Sequence, residues 1–272
     1  MILLGYLMAV LMGVVLGVIG GGGSILTVPI LVYLMGVSPD IATGYSLLLV
    51  GATAAFGAYR YFKDGLVDVK ASLLFAAPSI IAVYITRAFI MPNIPDTLLT
   101  SPFELSKNTA IMLLFAALMF ASAIMMLLKS YRAKPALESA GDNELPEQTK
   151  KPKVTLIMFE GAVVGLVTGI LGAGGGFLII PALVLFLGMP IKNAVGASLF
   201  IIALKSLLGF VGDLQAGIPL EVPLLPLMLV ATIVGMAVST KLAKKLDGVT
   251  LQKFFAFFTL IIAVFIISKE LV

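Results

Sequence analysis

Two glycine-rich stretches have residue types and spacing that suit the binding of a small anion. They read GVIGGGGSILTVP at 17–29 and GILGAGGGFLIIP at 169–181. Consecutive glycines interrupt a helix, because each costs about 1 kcal/mol relative to alanine, and their bare N–H groups can approach a ligand closely. A short helix that follows such a turn begins with unpaired N–H groups and the positive end of its dipole. The two stretches therefore predict a pair of anion-binding loops.

The residues predicted to bind the anion lie in these loops and in the apolar segments that follow them. They are Gly21, Gly22, Gly23, Ser24, Ser46, Gly174, Gly175, Gly176, Ser198 and Lys205. The two later serines have an alternative role, which is hydrogen bonding to the backbone of their own helices. The lysine would either pair with the anion, since a charge inside a bilayer needs a partner, or extend to the membrane surface. The glycines have the alternative role of close helix packing.

Catalytic and metal-binding chemistry have little support in the composition. The sequence contains no histidine, cysteine or tryptophan, and neither an HExxH nor a GxSxG motif. Disulfides, thiol chemistry and the usual zinc sites are thereby excluded. We predict that the protein is not an enzyme and has no catalytic residue, metal ligand or cofactor. The net charge of +4, carried by basic residues in loops, predicts no nucleic-acid partner.

The elements that position the loops are predicted to be membrane-spanning helices. Of the 272 residues, 60% are hydrophobic and only 12% are charged, whereas soluble domains are about 25% charged. Apolar runs such as 2–19 and 111–128 approach the roughly 20 residues that a helix needs to cross a bilayer. The runs are continuous, while barrel strands alternate. We therefore predict an all-α, multi-pass integral protein of the plasma or inner membrane, with the lipid bilayer as its partner.

The chain is predicted to contain an internal repeat, because glycines, prolines and serines recur at an ungapped offset of 152 residues. The matches include Gly13/Gly165, Gly17/Gly169, Gly20/Gly172, Gly23/Gly175, Pro29/Pro181, Gly44/Gly196, Ser46/Ser198 and Gly65/Gly217. Each half contains five apolar segments. Those of the first half are about 2–19, 25–36, 40–60, 70–90 and 108–129, and those of the second are about 154–171, 177–188, 191–212, 219–240 and 250–268. We assign 1–129 and 154–272 to the two repeats and the polar stretch 130–153 to a linker.

The distribution of lysine and arginine predicts the orientation of the repeats. Basic residues favour cytoplasmic loops, and the linker with its borders is rich in them. We therefore place the linker inside. If each short second segment forms a glycine-interrupted hairpin that returns the chain to its own side, most of the 18 basic residues also lie inside. The second half is then inverted relative to the first, and both termini are outside. A parallel repeat would scatter the basic loops over both faces.

The paired glycine loops, each followed by an aliphatic helix containing proline, resemble the sulfite exporter TauE/SafE family, also called the four-toluene sulfonate uptake permease family. The resemblance covers nearly the whole chain, including the duplication and the polar linker. It implies transport of sulfite, thiosulfate, sulfonates or related organosulfur anions. The two loops differ from each other, because the first reads GGGGS where the second reads GAGGG. The two halves of the predicted anion site, one in each loop, therefore need not be equivalent.

The sequence thus predicts a transmembrane carrier of a small anion, held between facing half-helix N-termini near the membrane midplane, and the resemblance implies that this anion contains sulfur. Export is favoured, because a negative-inside potential assists anion efflux by about 2.3 kcal/mol per charge per 100 mV and few carboxylates lie within the apolar segments. The alternatives are a carrier for another small anion or nutrient, and a non-transporting membrane receptor. The sequence leaves homo-oligomer formation open.

Overall fold

The protein is described by a computed structural model that covers residues 2–99, 105–139, 154–187, 189–242 and 248–271. In the first half, α1 spans Ile2–Ile19. The next helix, which we call α2 (21–34), begins as a 3-10 helix at Gly21–Leu26, continues through Thr27–Pro29 and ends as a π-helix at Ile30–Leu34. Helix α3 spans Pro39–Lys63, α4 spans Val69–Asn93 and α5 spans Lys107–Ser139.

The second half repeats this order of long and short helices. Helix α6 spans Val154–Leu171, α7 spans Gly176–Leu187 and α8 spans Ile191–Gln215. Helices α9 and α10 span Leu224–Leu242 and Gly248–Leu271. Two short antiparallel strands, Thr97–Leu99 and Leu105–Ser106, precede α5. The strand pair was not predicted.

The predicted helical membrane protein is confirmed. Within the described residues, five helices are long and apolar enough to cross a membrane, and they lie at Pro39–Lys63, Val69–Asn93, Lys107–Met125, Val154–Leu171 and Asn193–Gln215. Helices α3 and α8 form the centre of the protein. In each of them 72% of the apolar stretch is buried, against 33–39% in the other three helices. Large apolar side chains on the outer helices, such as Ile81, Phe159 and Ile261, are exposed, as expected of surfaces that contact lipid.

The long helices of each half pack mainly on helices of the other half. Helix α1 packs on α9, α4 on α6, α3 on α8 and α5 on α10, while the short helices α2 and α7 touch each other but pack more extensively on α1 and α8 of their own halves. Small residues permit the closest of these contacts. A Cβ atom on Gly13 would lie 2.1 Å from the carbonyl oxygen of Thr232, and one on Gly165 would lie 2.4 Å from that of Ser79.

Several helix ends differ from the predicted segments by a few residues; α9, for example, begins at Leu224 rather than at 219. Helix α5 continues to Ser139, past the predicted start of the linker at 130, and the rest of that linker, 140–153, lies outside the described residues. Helix α8 reaches Gln215 rather than residue 212, which brings Asp213 into a helix that packs against α4. The carboxylate is 5% exposed, so the expected shortage of carboxylates within the apolar segments has at least this exception.

Candidate functional site

The two glycine loops meet in the interior. Gly20 ends α1 with a φ of 77°, and Gly172 ends α6 with a φ of 67°. Only glycine adopts this left-handed backbone readily, so the chain can turn at both points. A Cβ atom on Gly21 would lie 1.9 Å from the Cα of Gly176, and one on Gly176 would lie 1.8 Å from the Cα of Gly21. The loops therefore touch backbone to backbone.

A serine joins the two loops by hydrogen bonding. The Ser24 hydroxyl oxygen lies 2.6 Å from the carbonyl oxygen of Gly21 and 2.5 Å from that of Ala173, and the side chain is buried. The hydroxyl has a single proton to donate, so one of these carbonyl groups accepts at a time. Because Gly21 and Ala173 belong to different loops, Ser24 ties the start of α2 to the turn before α7.

The second loop has more left-handed residues than the first. Gly172, Gly174 and Gly175 all have positive φ angles, of 67°, 62° and 74°. Gly175 donates its N–H to the carbonyl oxygen of Ala173, at 2.6 Å. In the part of the chain that the structure describes, the N–H groups of Gly174 and Gly176 have no backbone acceptor. The start of α7 thus has the unpaired donors that an anion site requires.

Lys205 reaches this second loop from α8. Its side chain is fully buried, and its Nζ donates a hydrogen bond to the Thr168 hydroxyl at 2.5 Å. A Cβ atom on Gly175 would lie 3.0 Å from Nζ. Among the described residues, no carboxylate lies within ion-pair distance of this ammonium group. The alternative in which the lysine extends to the membrane surface is therefore wrong for this conformation.

The two repeat-related serines make different contacts. The Ser46 hydroxyl donates to the carbonyl oxygen of Gly172 at 2.6 Å, so α3 holds the second loop directly. The Ser198 hydroxyl donates to the carbonyl oxygen of Val195 in its own helix at 2.8 Å. It nevertheless borders the first loop, since a Cβ atom on Gly20 would lie 3.4 Å from its Oγ. Both hydroxyl groups are fully buried.

The remaining predicted residues pack tightly around this contact. A Cβ atom on Gly23 would lie 2.4 Å from the backbone nitrogen of Leu16, and one on Gly174 would lie 2.6 Å from the Val50 side chain. Gly22 lies in the same 3-10 segment, Gly21–Leu26. In this conformation no ion fits between Gly21 and Gly176. The glycines thus serve close packing as well as loop geometry.

A cleft of about 370 Å³ lies elsewhere, between α4 and α6. Its walls are almost wholly apolar, with Pro78, Ile85 and Leu166 among them. Side chains of this kind offer no charge to an anion. The polar groups that surround the glycine loops therefore remain the candidate site.

Two polar residues beside the second loop, Thr168 and Thr43, and a third residue further from it, Asp213, were not predicted. Thr168 accepts the hydrogen bond from Lys205. Thr43 contacts Gly172 through its backbone and accepts a hydrogen bond from Arg87 at 3.0 Å. Asp213 forms an ion pair with Arg87 at 3.4 Å. From the sequence, Arg87 has two possible roles, which are to draw anions to the outer mouth or to anchor a loop, and no sequence signal links it to a carboxylate 126 residues away.

These features define a multi-pass helical membrane protein with two interrupted helices meeting at a buried polar site, an architecture that secondary transporters use. The model of the family described as Sulfite exporter TauE/SafE matches residues 5–266. The chain therefore belongs to the TauE/SafE family of membrane transporters.

Several relatives carry the description of probable membrane transporter proteins. One from Xylella fastidiosa is 31% identical over 194 residues, which cover 70% of this chain and 65% of the relative, so the match spans just under two thirds of that protein. YunE of Bacillus subtilis is 28% identical, with 78% and 79% covered. YdhB of the same organism is 27% identical, with 89% and 90% covered. No solved structure matches the chain.

Proposed function

We propose that this protein exports a small sulfur-containing anion, such as sulfite, thiosulfate or an organosulfonate, across the plasma or inner membrane. The family description, which names sulfite export, supports this substrate class. The basic residues of the predicted inner loops support the proposed orientation, with both termini outside.

The observation that carries the proposal is the state of Lys205. Its ammonium group is buried beside Gly175 and, among the described side chains, has only the Thr168 hydroxyl as a partner. An ammonium group inside a membrane protein is costly unless another charge compensates it. The adjacent N–H groups of Gly174 and Gly176 are also donors. A donor set with one positive charge and no carboxylate favours an anion over a metal ion or a neutral solute.

We propose further that the two halves, 1–129 and 154–272, form an inverted repeat. The packing partners support a twofold relation between the halves, because the α1–α9 pair becomes the α6–α4 pair when the halves are exchanged, while the α3–α8 and α5–α10 pairs stay the same. The inversion itself rests on the predicted placement of the basic loops. The loop contacts follow the same offset of 152. Gly21 corresponds to Ala173 and Gly176 corresponds to Ser24, so the Gly21–Gly176 contact has the Ala173–Ser24 contact as its repeat equivalent. Such repeats allow one half to rock against the other around a central site.

The conformation described corresponds in our proposal to the closed state of the transport cycle. Gly21 and Gly176 close the space between the loops, and Ser24 holds the loops together. When the halves rock apart, the donors of Gly21, Gly22, Gly23 and Ser24 face those of Gly174, Gly175 and Gly176, with Ser46, Ser198 and Lys205 beside them. The anion then binds between the two helix N-termini, near the membrane midplane.

The proposal is tested by transport into and out of proteoliposomes that contain the purified full chain. Labelled sulfite, thiosulfate and an organosulfonate are compared with sulfate and chloride. We expect at least one of the three sulfur anions to move well above the rate of empty vesicles, and efflux to accelerate under a negative-inside potential. Rates at the level of empty vesicles for all three would overturn the proposal.

A further inference from the structure

Arg87 has an open hydrogen-bonding edge although it is buried. It lies in the π-helical stretch Thr86–Ile90 of α4 and is 1% exposed. Its Nη1 donates to the Thr43 hydroxyl at 3.0 Å and lies 3.4 Å from Oδ1 of Asp213. Among the described residues, Nε and Nη2 have no hydrogen-bond partner. Buried donors of this kind are rarely left unpaired in proteins, since each unpaired group carries a desolvation penalty.

The two unpaired nitrogens form one side of the planar guanidinium group. Their N–H bonds run nearly parallel, and this fork matches two oxygens of a single oxyanion. A sulfite, thiosulfate or sulfonate group presents such a pair of oxygens. A chloride ion has no second acceptor atom, so it cannot use the fork in the same way.

Arg87 is connected to the glycine loop through Thr43. The hydroxyl group of Thr43 accepts from Arg87, while its backbone packs on Gly172. Asp213 follows Lys205 by eight residues on α8, which corresponds to about 12 Å along the helix. The ammonium of Lys205 lies beside Gly175, and the guanidinium of Arg87 is joined through Thr43 to Gly172, so a positive charge is associated with each end of the second loop.

Asp213 limits how strongly an anion can bind to this fork. Its Oδ1 faces Nη1 of Arg87, while its Oδ2 has no partner among the described residues. Asp40 of α3 is a second carboxylate close enough to act on Arg87 electrostatically. These negative charges stabilise the guanidinium when no anion is present, and they compete with an incoming anion for it. A group placed in this way suits transient binding rather than tight storage.

We infer that Arg87 forms a second oxyanion-binding site on the outer side of Lys205, with Asp213 as its internal competitor. The identity of the anion and the outward direction rest on the proposed function and orientation; the site itself rests on the open Nε–Nη2 edge. An anion that passes the glycine loops would move from Lys205 to Arg87 before it leaves the protein. Arg87 then acts as a binding residue rather than as a loop anchor.

The inference is tested by the sulfite dependence of the thermal midpoint of the purified full chain, measured against sodium chloride at equal ionic strength. Asp213→Asn removes the competitor. We expect its midpoint without sulfite to fall, because a buried charge loses its partner, and its half-saturating sulfite concentration to drop about fivefold or more. If the Arg87–Asp213 ion pair is only structural, Asp213→Asn lowers the midpoint but leaves its dependence on sulfite unchanged. That result would overturn the inference.

A second variant keeps the positive charge and removes the fork. Arg87→Lys is expected to raise the half-saturating sulfite concentration about tenfold, because an ammonium group cannot reproduce the bidentate contact. The double variant Arg87→Gln with Asp213→Asn, which has neither charge, should lose the lower half-saturating sulfite concentration expected of Asp213→Asn alone. If Asp213→Asn does not fold, an unchanged sulfite dependence in Arg87→Lys overturns the inference by itself. So does a wild-type protein whose midpoint does not respond to sulfite.

Failure of this inference can be distinguished from failure of the proposed function. If wild-type proteoliposomes transport sulfite while these variants keep the wild-type sulfite dependence, only the Arg87 site is wrong. If no sulfur anion is transported but the variants shift the sulfite dependence as expected, the Arg87 site stands and the transport proposal falls.

Discussion

Gly21 and Gly176 touch through their backbones, although they lie in different halves of the chain. A methyl group on either residue would lie within 2 Å of the other's Cα. The contact is therefore available only to glycine, and it joins the starts of the two short helices. Any movement of one half against the other has to break or slide this contact first.

Gly21→Ala should destabilise the closed conformation. We expect the thermal midpoint to fall by about 5 °C or more, since forcing extra atoms into a packed interior costs about 1–3 kcal/mol. Gly36→Ala is the control, because Gly36 has a φ of 75° but no neighbour within 4 Å. The fall in the midpoint of Gly36→Ala reports the strain of a left-handed residue without any clash. Gly21 has no positive φ, so the fall in Gly21→Ala reports the clash instead. Equal midpoints for Gly21→Ala and wild type would contradict the close contact.

Gly175→Leu should abolish transport while leaving membrane insertion intact. The new side chain would begin 2.3 Å from Thr168 and 3.0 Å from Nζ of Lys205, so it would displace the ammonium group. Gly217→Leu is matched to it, since Gly217 has a similar φ of 81° with open space around it. We expect sulfite flux to be lost in the first variant and retained in the second. Unchanged flux in Gly175→Leu would refute the role assigned to this loop.

Alanine at Ser46 should lower the stability of the protein, whereas alanine at Ser198 should weaken the binding of the anion. Ser46→Ala leaves the Gly172 carbonyl group without its donor, and the loss of about 1 kcal/mol should lower the midpoint by about 2–4 °C. Ser198 donates within its own helix, so Ser198→Ala should leave the midpoint nearly unchanged. Its KM for sulfite should rise about fivefold if the hydroxyl binds the anion in the open state. A KM equal to that of wild type would remove Ser198 from the site.

Cysteine labelling can decide whether the repeat is inverted. The chain has no cysteine of its own, and the exposed residues Asp64 and Ala216 are 152 positions apart. We expect a membrane-impermeant maleimide to label Ala216→Cys in intact spheroplasts, and Asp64→Cys only after the membrane is permeabilised. Labelling of both from the same side would indicate a parallel repeat.

The positions of the helices could largely be predicted from the sequence. The segments 2–19 and 154–171 coincide with α1 and α6, because a continuous apolar run bounded by glycine or charge marks both ends of a helix. The end of α5 was predicted less well. Its apolar run stops at Leu128, but the helix continues through polar residues to Ser139, since a helix that leaves the bilayer can continue in water.

The contacts within the site could not be predicted in the same way. Periodicity places Lys205 deep in α8 but does not say that its ammonium group reaches Thr168. The Arg87–Asp213 pair joins two helices through tertiary packing, and a single sequence has no signal for such a pair. The glycine pattern permits the backbone contact between the loops, but it does not say that the contact forms. The contact is a property of the conformation described.

The most direct test of the account is the flux of labelled sulfite through proteoliposomes containing either wild-type protein or Lys205→Met. Lys70→Met is the control, because Lys70 is exposed at the start of α4. The account predicts flux above empty vesicles for wild type and Lys70→Met, and a reduction of about a hundredfold for Lys205→Met, which removes the buried charge that pairs with the anion. Lys205→Met vesicles that transport sulfite as fast as wild type would contradict it.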